Sequence, residues 1–430
     1  MPVAIDERRA DRVQPAGGAR NVAPSAQTGI EITVHHQLDA VEPEWRQFEQ
    51  SADCTAFQAF DWLSAWCRHI GLLTRTQPAI VVGRREGTTL FILPLGVTPG
   101  AVRRLTWLGS ALCDYNGPLL ASGMASLLTP DQFRDLWRDI CRQLQSDPRT
   151  RHDLVELTKM PERVGAQANP FLALSAGLNP SNAYVADLFG TWTEYYETKR
   201  SSATRRRDRT KLKRLGEMGE VRFVTPQDRS EIERSVDTLM EQKARSFARM
   251  GVANMFARPG WSEFFAAVAT DERTRHLVHV SRLDVGSVWS AINLGLVFRD
   301  TYCHVLASYD DGETSRFGPG VAHLRDLLRY SIECGLKHFD FTIGDERYKR
   351  EWSDRTIKLY DHEAPASARG LAAAAMVHGH RRLKRFIKQN EKLWSLFSRA
   401  RAALGPKSAT PAAEEGAPTT VRKSPPIAPE

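Results

Sequence analysis

Two short stretches in the last third of the chain carry the residue types and spacing of a site that holds phosphate and moves protons. The first, Ser-Arg-Phe-Gly-Pro-Gly at 315–320, lies between an expected strand and a helix expected from Val321. Gly318 and Gly320 permit backbone conformations that a Cβ would obstruct, and Pro319 fixes φ where a helix begins. The free N–H groups of a first helical turn, with the macrodipole, form an anion site, and Arg316 adds a full charge. A pyrophosphate suits this loop, and so does the plainer reading of a tight strand-to-helix turn. The second stretch, Thr-Ile-Gly-Asp-Glu-Arg-Tyr-Lys-Arg-Glu-Trp at 342–352, follows the apolar run Lys-His-Phe-Asp-Phe. It brings Gly344, Asp345, Tyr348, Lys349 and Trp352 to a strand's C-terminal end, where open α/β sheets bind ligands. The plainer reading is a short helix capped by Asp345, with Lys349 four residues on in a surface pair.

The elements that must position these groups form a pattern that runs twice. The first pass has a strand from Glu31, helices over 41–50 and 59–70, strands over 79–84, 89–97 and 102–108, a helix over 131–145 and a strand over 154–159. The second has a strand from Val221, helices over 228–248 and 261–270, strands over 277–283, 288–298 and 302–307, a helix over 321–334 and a strand over 338–342. Matching elements are offset by about 185 to 199 residues, which predicts a duplicated α/β unit. The first half's counterpart of the glycine loop, starting at Gly109, lacks a glycine pair at its helix entry, so the second half is expected to do the work. Trp62 and Trp66, four apart on a helix, are expected in the core.

These residues resemble a known family, the CelD/BcsL-type acetyltransferases associated with cellulose biosynthesis, a branch of the GNAT acyltransferases related to the Fem aminoacyl ligases. The resemblance is carried by Phe-Asp-Phe-Thr-Ile-Gly-Asp-Glu-Arg-Tyr-Lys-Arg-Glu-Trp at 339–352 and the Arg-Phe-Gly-Pro-Gly turn at 316–320. The stretch from Phe57 and the basic stretch from Ser201 support it, and together these cover about residues 31 to 360. It implies an α/β (α+β) fold of tandem duplicated GNAT-like domains, with mixed central sheets flanked by helices and joined by a basic helix. The expected division is a tail at 1–29, a non-catalytic GNAT-like domain at 30–190, the connecting helix at 191–220, an acyltransferase domain at 221–365, a basic amphipathic helix at 366–404 and a tail at 405–430.

The implied donor is acetyl-CoA or another acyl-CoA, with Arg316, Phe317, Gly318, Gly320 and Lys349 as its binding residues. Ser315 departs from the Arg or Gln usual at the first position of the GNAT loop, and relatives with altered loops use aminoacyl-tRNA. Amide formation needs a base for the amine, donors for the oxyanion and a proton for the thiolate. The resemblance makes Tyr348 the acid, and Asp345 is expected as the base, with Asp340 and His304 behind it. Backbone N–H groups near Ala307 to Tyr309 would meet the thioester oxygen, and Arg205, Arg206 and Trp352 are expected at the acceptor. The implied activity is N- or O-acetylation of a sugar or other small precursor of cellulose or another exopolysaccharide. The alternatives are Fem-like transfer from aminoacyl-tRNA and an inactive GNAT-fold accessory protein at the membrane.

Charge narrows the partners. The chain of 430 residues has a net charge of +8, but 199–214 alone carries nine basic residues against Asp208, and 366–430 carries twelve against four acidic. The remainder is acidic, which argues against duplex binding, and no nucleic-acid motif accompanies the charge. The basic connector reads either as a solvated helix or as the attractor of an anionic acceptor. The segment 381–401, with Leu383, Phe386, Ile387, Trp394 and Phe397 along one helical face, suits peripheral contact with an anionic bilayer or packing on the second domain. Without an apolar signal or spanning stretch, the expected location is cytoplasmic, including the inner face of the cell membrane. Six scattered Cys and twelve His without ligand spacing predict no metal site.

Overall fold

The computed structural model describes residues 20–21 and 28–376. The expected tails, the basic face of the C-terminal helix and its contact segment 381–401 lie outside the described residues, except that Arg20–Asn21 adds a short strand within the expected N-terminal tail.

Both halves are mixed sheets flanked by helices. The first sheet runs Arg20–Asn21, Glu31–His35, Gln77–Arg85, Thr88–Thr98, Arg104–Trp107, Leu154–Pro161, Leu359–Pro365 and Ala176–Leu178, with Leu119–Leu120 attached to Thr88–Thr98. The second runs Val221–Val224, Val278–Val285, Val288–Phe298, Thr301–Tyr309, His338–Ile343, Ala183–Asp187 and Arg355–Ile357. Among the described residues each sheet holds one parallel pair, Arg104–Trp107 with Leu154–Pro161 and Thr301–Tyr309 with His338–Ile343, and the other pairs are antiparallel. In each, a helix joins the parallel strands: Pro130–Ser146 and Pro319–Glu333. Helix Pro130–Ser146 starts at a full Thr129/Gln132 capping box. The duplication read from the sequence is therefore present.

Two strands depart from the expected division. Ala183–Asp187, within 30–190, pairs with His338–Ile343 in the second sheet, and Leu359–Pro365, within 221–365, pairs with Leu154–Pro161 in the first. Each half thus completes its sheet with a strand from the other's stretch of chain. The connector is also two helices, Trp192–Lys199 and Ser202–Met218, broken at Arg200, whose φ of −128° and ψ of 127° are extended.

The core is continuous between the halves. Trp62 meets Phe264 edge-on at 4.8 Å, joining helix Phe60–Trp66 to helix Trp261–Thr270, and both rings are fully buried. Burying such aromatics contributes a few kcal/mol each, so the interface is a shared core. The other face of the second sheet packs Tyr302, Phe339 and Phe341 against Leu324, Leu327 and Leu328 of helix Pro319–Glu333. A helix that begins at 368 docks Ala373 and Ala374 on Leu154, so the C-terminal segment enters along the first half.

Candidate active site

The parallel strands of the second half stay paired only over Thr301/His338, Tyr302/Phe339 and Cys303/Asp340. Beyond Cys303 they diverge, while Thr301–Tyr309 remains bonded to Val288–Phe298 on its other side. Because the Asp310 amide donates to Ser290 O, the alternation of an antiparallel ladder turns the Ala307 and Tyr309 amides to the open edge. The Thr342 hydroxyl donates across the gap to His304 O at 3.3 Å. Thr342 holds φ at +59°, a conformation costly for a β-branched residue, and sits at a bulge against Ala183–Val185. The bulge ends the pairing and opens the wedge.

The glycine loop closes one end of this wedge. Gly318 caps helix Pro319–Glu333 with φ +68° and ψ +56°, so its glycine is required. Gly320 is not held at positive φ, and a Cβ there would stand 3.5 Å from the Tyr309 ring, an ordinary contact. Of the two glycines, only Gly318 is needed for conformation. Arg316 is exposed and stacks over Phe317 at 5.9 Å, while Phe317 packs beside Leu215 and Ala322. Phe317 therefore holds the loop against helix Ser202–Met218 and does not line an anion site. From that helix, Lys211 reaches the loop, with Nζ 3.8 Å from where a Gly318 Cβ would stand.

This changes the place of Arg205 and Arg206. Leu215 and Asp208 of the basic helix are buried on the face of the second sheet that carries helix Pro319–Glu333, with the Tyr196 hydroxyl donating to Asp208 at 2.6 Å. Arg205 pairs with Glu197 at 3.5 Å and Arg206 is exposed. Both lie on the helix that packs against Phe317 of the glycine loop through Leu215. Trp352 is no acceptor platform either: it is 2% exposed and stacks with Tyr195 and Tyr196 at 6.3 and 6.2 Å, with the Arg200 guanidinium 4.8 Å over its ring.

The polar groups after strand His338–Ile343 separate onto two sides. Asp345 is exposed and accepts from the Tyr184 hydroxyl at 3.0 Å, and its backbone neighbour Gly344 donates to Asn182 O. It thus faces the exchanged strand Ala183–Asp187 and points away from the wedge, which removes it as the base. Lys349, expected at the donor or, on the plainer reading, in a surface pair, is 5% exposed and donates to Ile343 O at 2.7 Å, with Glu346 at 3.2 Å. Gly344, at φ +131°, leaves room for it: a Cβ there would stand 2.9 Å from Lys349 Nζ and within clashing distance of the Glu346 carboxylate. Tyr348 packs edge-on against Phe341 at 6.2 Å, and burial, with Glu346 adding, raises its pKa well above the ordinary phenol value. It is therefore protonated at neutral pH, the form in which a phenol can donate.

On the opposite face of the wedge lies a buried charged cluster, of which the sequence reading named Asp340 and His304 but not Tyr115, Asp114 or Lys243. Asp340 accepts from the Tyr115 hydroxyl at 2.8 Å and from the Thr342 amide at 2.7 Å. Burial pushes its carboxyl up to about 7, the two hydrogen bonds oppose this, and Asp114 adds to it. Burial likewise drives His304 down to about 3, with Lys349 and Lys243 acting the same way. Burial lowers the Lys243 ammonium, Glu346 opposes, and Lys349 adds. Lys159, also at positive φ, donates to Cys113 O at 2.7 Å and fixes the loop carrying Asp114 and Tyr115. Among the described residues no group of three or more His, Cys, Asp or Glu is gathered to hold a metal ion.

The equivalent wedge in the first half is closed by its own chain. Pairing stops after Leu105/Val155, and buried Asn116 bonds to Thr158 O at 3.0 Å and to Lys159 O at 3.1 Å.

Residues 202–350, which include the glycine loop and the connecting helix, match a family described as acetyltransferase (GNAT) domain. Among solved structures the chain is similar to FemX, with a TM-score of 0.52 at 10% identity over 74% of this chain and 95% of that one. It also matches a conserved protein of unknown function from Bacteroides thetaiotaomicron VPI-5482, with a TM-score of 0.47 at 10% identity over 76% and 98%. A tandem GNAT protein from the clavulanic acid biosynthesis pathway follows at 0.42 and 11%, over 79% and 99%. No curated protein matches the chain. At these identities the likeness to FemX is one of fold.

Proposed function

We propose that this protein is an acyltransferase that takes an acyl group, in the first place acetyl, from coenzyme A and transfers it to an amine or hydroxyl of a small acceptor. The reading rests on the wedge of the second half, open between Thr301–Tyr309 and His338–Ile343, with a capped helix N-terminus and Lys211 at one end. The donor pyrophosphate would lie at Gly318–Gly320, where helix dipole and Lys211 favour negative charge. The Ala307 and Tyr309 amides would hold the thioester and its oxyanion, and Tyr348 would protonate the departing thiolate. Lys349, bonded to Ile343 O, holds the turn beside the acyl group, and the arginines of helix Ser202–Met218 attract the phosphates of the donor. The plugged first wedge favours a single working half.

The sugar or exopolysaccharide acceptor and the cytoplasmic place, with membrane contact through 381–401, rest on the sequence resemblance and composition. A second reading, aminoacyl-tRNA as donor, draws support from the fold shared with FemX, from Ser315 and from the basic helix at the anion loop. Calorimetry decides: acetyl-CoA is expected to bind the full chain, and Gly320→Glu, which sets a carboxylate at the helix N-terminus, is expected to abolish binding. No binding of any CoA ester would remove the first reading.

A further inference from the structure

We infer that the catalytic centre is shared between the halves: Asp340 is the base that takes the acceptor's proton, and Tyr115 of the first half is the residue that positions it. The inference rests on the acyltransferase reading above and adds to it the side from which the acceptor enters.

The geometry assigns the two oxygens of Asp340 different work. Oδ1 is occupied by the Tyr115 hydroxyl at 2.8 Å and by the Thr342 amide at 2.7 Å. Among the described residues Oδ2 has no hydrogen-bond partner, so it is the oxygen free to accept a proton. Asp340 also sits where pairing ends, opposite Cys303 in the register, at the apex of the wedge in which a thioester carbon would lie. Tyr115 is 3% exposed and its ring meets Phe57 edge-on at 5.9 Å, so the hydroxyl is held by the first half's core. A rigid phenol from one half, bonded to a carboxylate of the other, fixes both its orientation and its basicity.

The groups facing Asp340 from every side are Tyr115 and Asp114 on the first-half loop, Cys303 on the neighbouring strand and Lys349 on helix Arg347–Trp352. His304 is buried within the influence of Lys349 and Lys243. Burial raises Asp340, and the Tyr115 hydrogen bond lowers it. The result is a carboxylate matched to neutral pH, where general bases work best. The acceptor therefore approaches between the halves, on the face away from helix Pro319–Glu333. Its nitrogen lone pair forms the bond to the thioester carbon, and Asp340 Oδ2 takes the N–H proton. Collapse of the oxyanion breaks the C–S bond, and the leaving sulfur takes a proton from Tyr348. Proton return from Asp340 to Tyr348 through water closes the cycle.

The test needs no knowledge of the natural acceptor, because water can serve: acetyl-CoA and water give acetate and free thiol. Thiol release is measured from about pH 5 to pH 9, alongside acetyl-CoA binding by calorimetry. Wild-type turnover is expected to rise on an acid limb near neutral pH. Asp340→Asn is expected to lose on the order of 100-fold in turnover with acetyl-CoA binding kept. Tyr115→Phe removes the bond that lowers Asp340, so its limb moves to higher pH by about one unit. Unchanged limb and rate in Tyr115→Phe, or full turnover in Asp340→Asn, with acetyl-CoA still bound, overturns the shared centre and leaves the donor reading standing. A wild-type chain that binds no CoA ester overturns both. Where Tyr115→Phe does not fold, the Asp340 carboxyl carbon is followed by NMR in the wild type and assigned by its loss in Asp340→Asn. A titration midpoint below about pH 5 then overturns the inference.

Discussion

Lys211 Nζ stands 3.8 Å from the position of a Cβ on Gly318, so a cation of the basic helix meets the N-terminus of helix Pro319–Glu333. Two positive ends converge there with no carboxylate bonded to Lys211 among the described residues. Lys211→Glu is therefore expected to weaken acetyl-CoA binding at least about tenfold, and the wild-type affinity to fall with salt more steeply than the variant's. Calorimetry at two ionic strengths measures both. Equal affinities would separate the basic helix from the donor.

Gly344 gives Lys349 its space. An alanine there meets Lys349 Nζ and the Glu346 carboxylate, and adds strain at φ +131°. Gly344→Ala is expected to lose about 1–3 kcal/mol of stability and most turnover, read by urea unfolding and thiol release. Wild-type values in both would show that Lys349 has room to move.

Trp352 fastens the connector to the second half through Tyr195, Tyr196 and Arg200. Trp352→Ala is expected to cost about 3–5 kcal/mol, the range for deleting a buried aromatic. The loss should also raise hydrogen exchange across Trp192–Lys199. An acceptor platform would instead lose turnover with stability kept.

Stability should fall as the solution is acidified below the ordinary histidine range. His279, His304 and His323 are buried, and burial drives them down to about 4, 3 and 3. Their folded pKa values lie below the unfolded value of about 6.5, so the unfolded chain binds more protons between about pH 6.5 and 4 and stability is lost over that window. Asp340, Asp326, Asp114 and Glu49 act in the opposite sense, since burial raises their folded pKa values, but His35, His36, His69, His152 and His362 are lowered as well and join the three. Urea midpoints at pH 7 and pH 5 check the sign, and a higher midpoint at pH 5 would contradict it.

The raised Asp340 carboxyl also costs stability wherever it is ionised. Asp340→Asn, similar in shape and uncharged, is expected to raise the melting temperature at pH 8 by a few degrees and to leave it little changed at pH 5, where the native carboxyl is protonated. An equal shift at both values would mean that packing, not charge, sets the change.

The regular elements were legible because their periodicity is local. Val221–Val224, Trp261–Thr270 and Val288–Phe298 begin and end where alternation or helical spacing does. The exchanged strands Ala183–Asp187 and Leu359–Pro365 were not, since each is short and finds its partner across more than a hundred residues of chain. The turn into helix Pro319–Glu333 was readable from Gly318 and Pro319. Phe317 and Trp352 misled because an aromatic beside glycine, Arg or Lys looks alike whether it meets a ligand or the core. Tyr115 left no signal: its bond to Asp340 spans 225 residues, and only the packing of one half on the other creates it.

The central claim is that the donor lies in the second wedge and not the first. Hydrogen exchange of the full chain with and without acetyl-CoA tests it most directly. The expected result is new protection at the amides of 304–309 and 318–322, with 105–116 unchanged. Protection confined to 105–116, or none in either wedge, would contradict it.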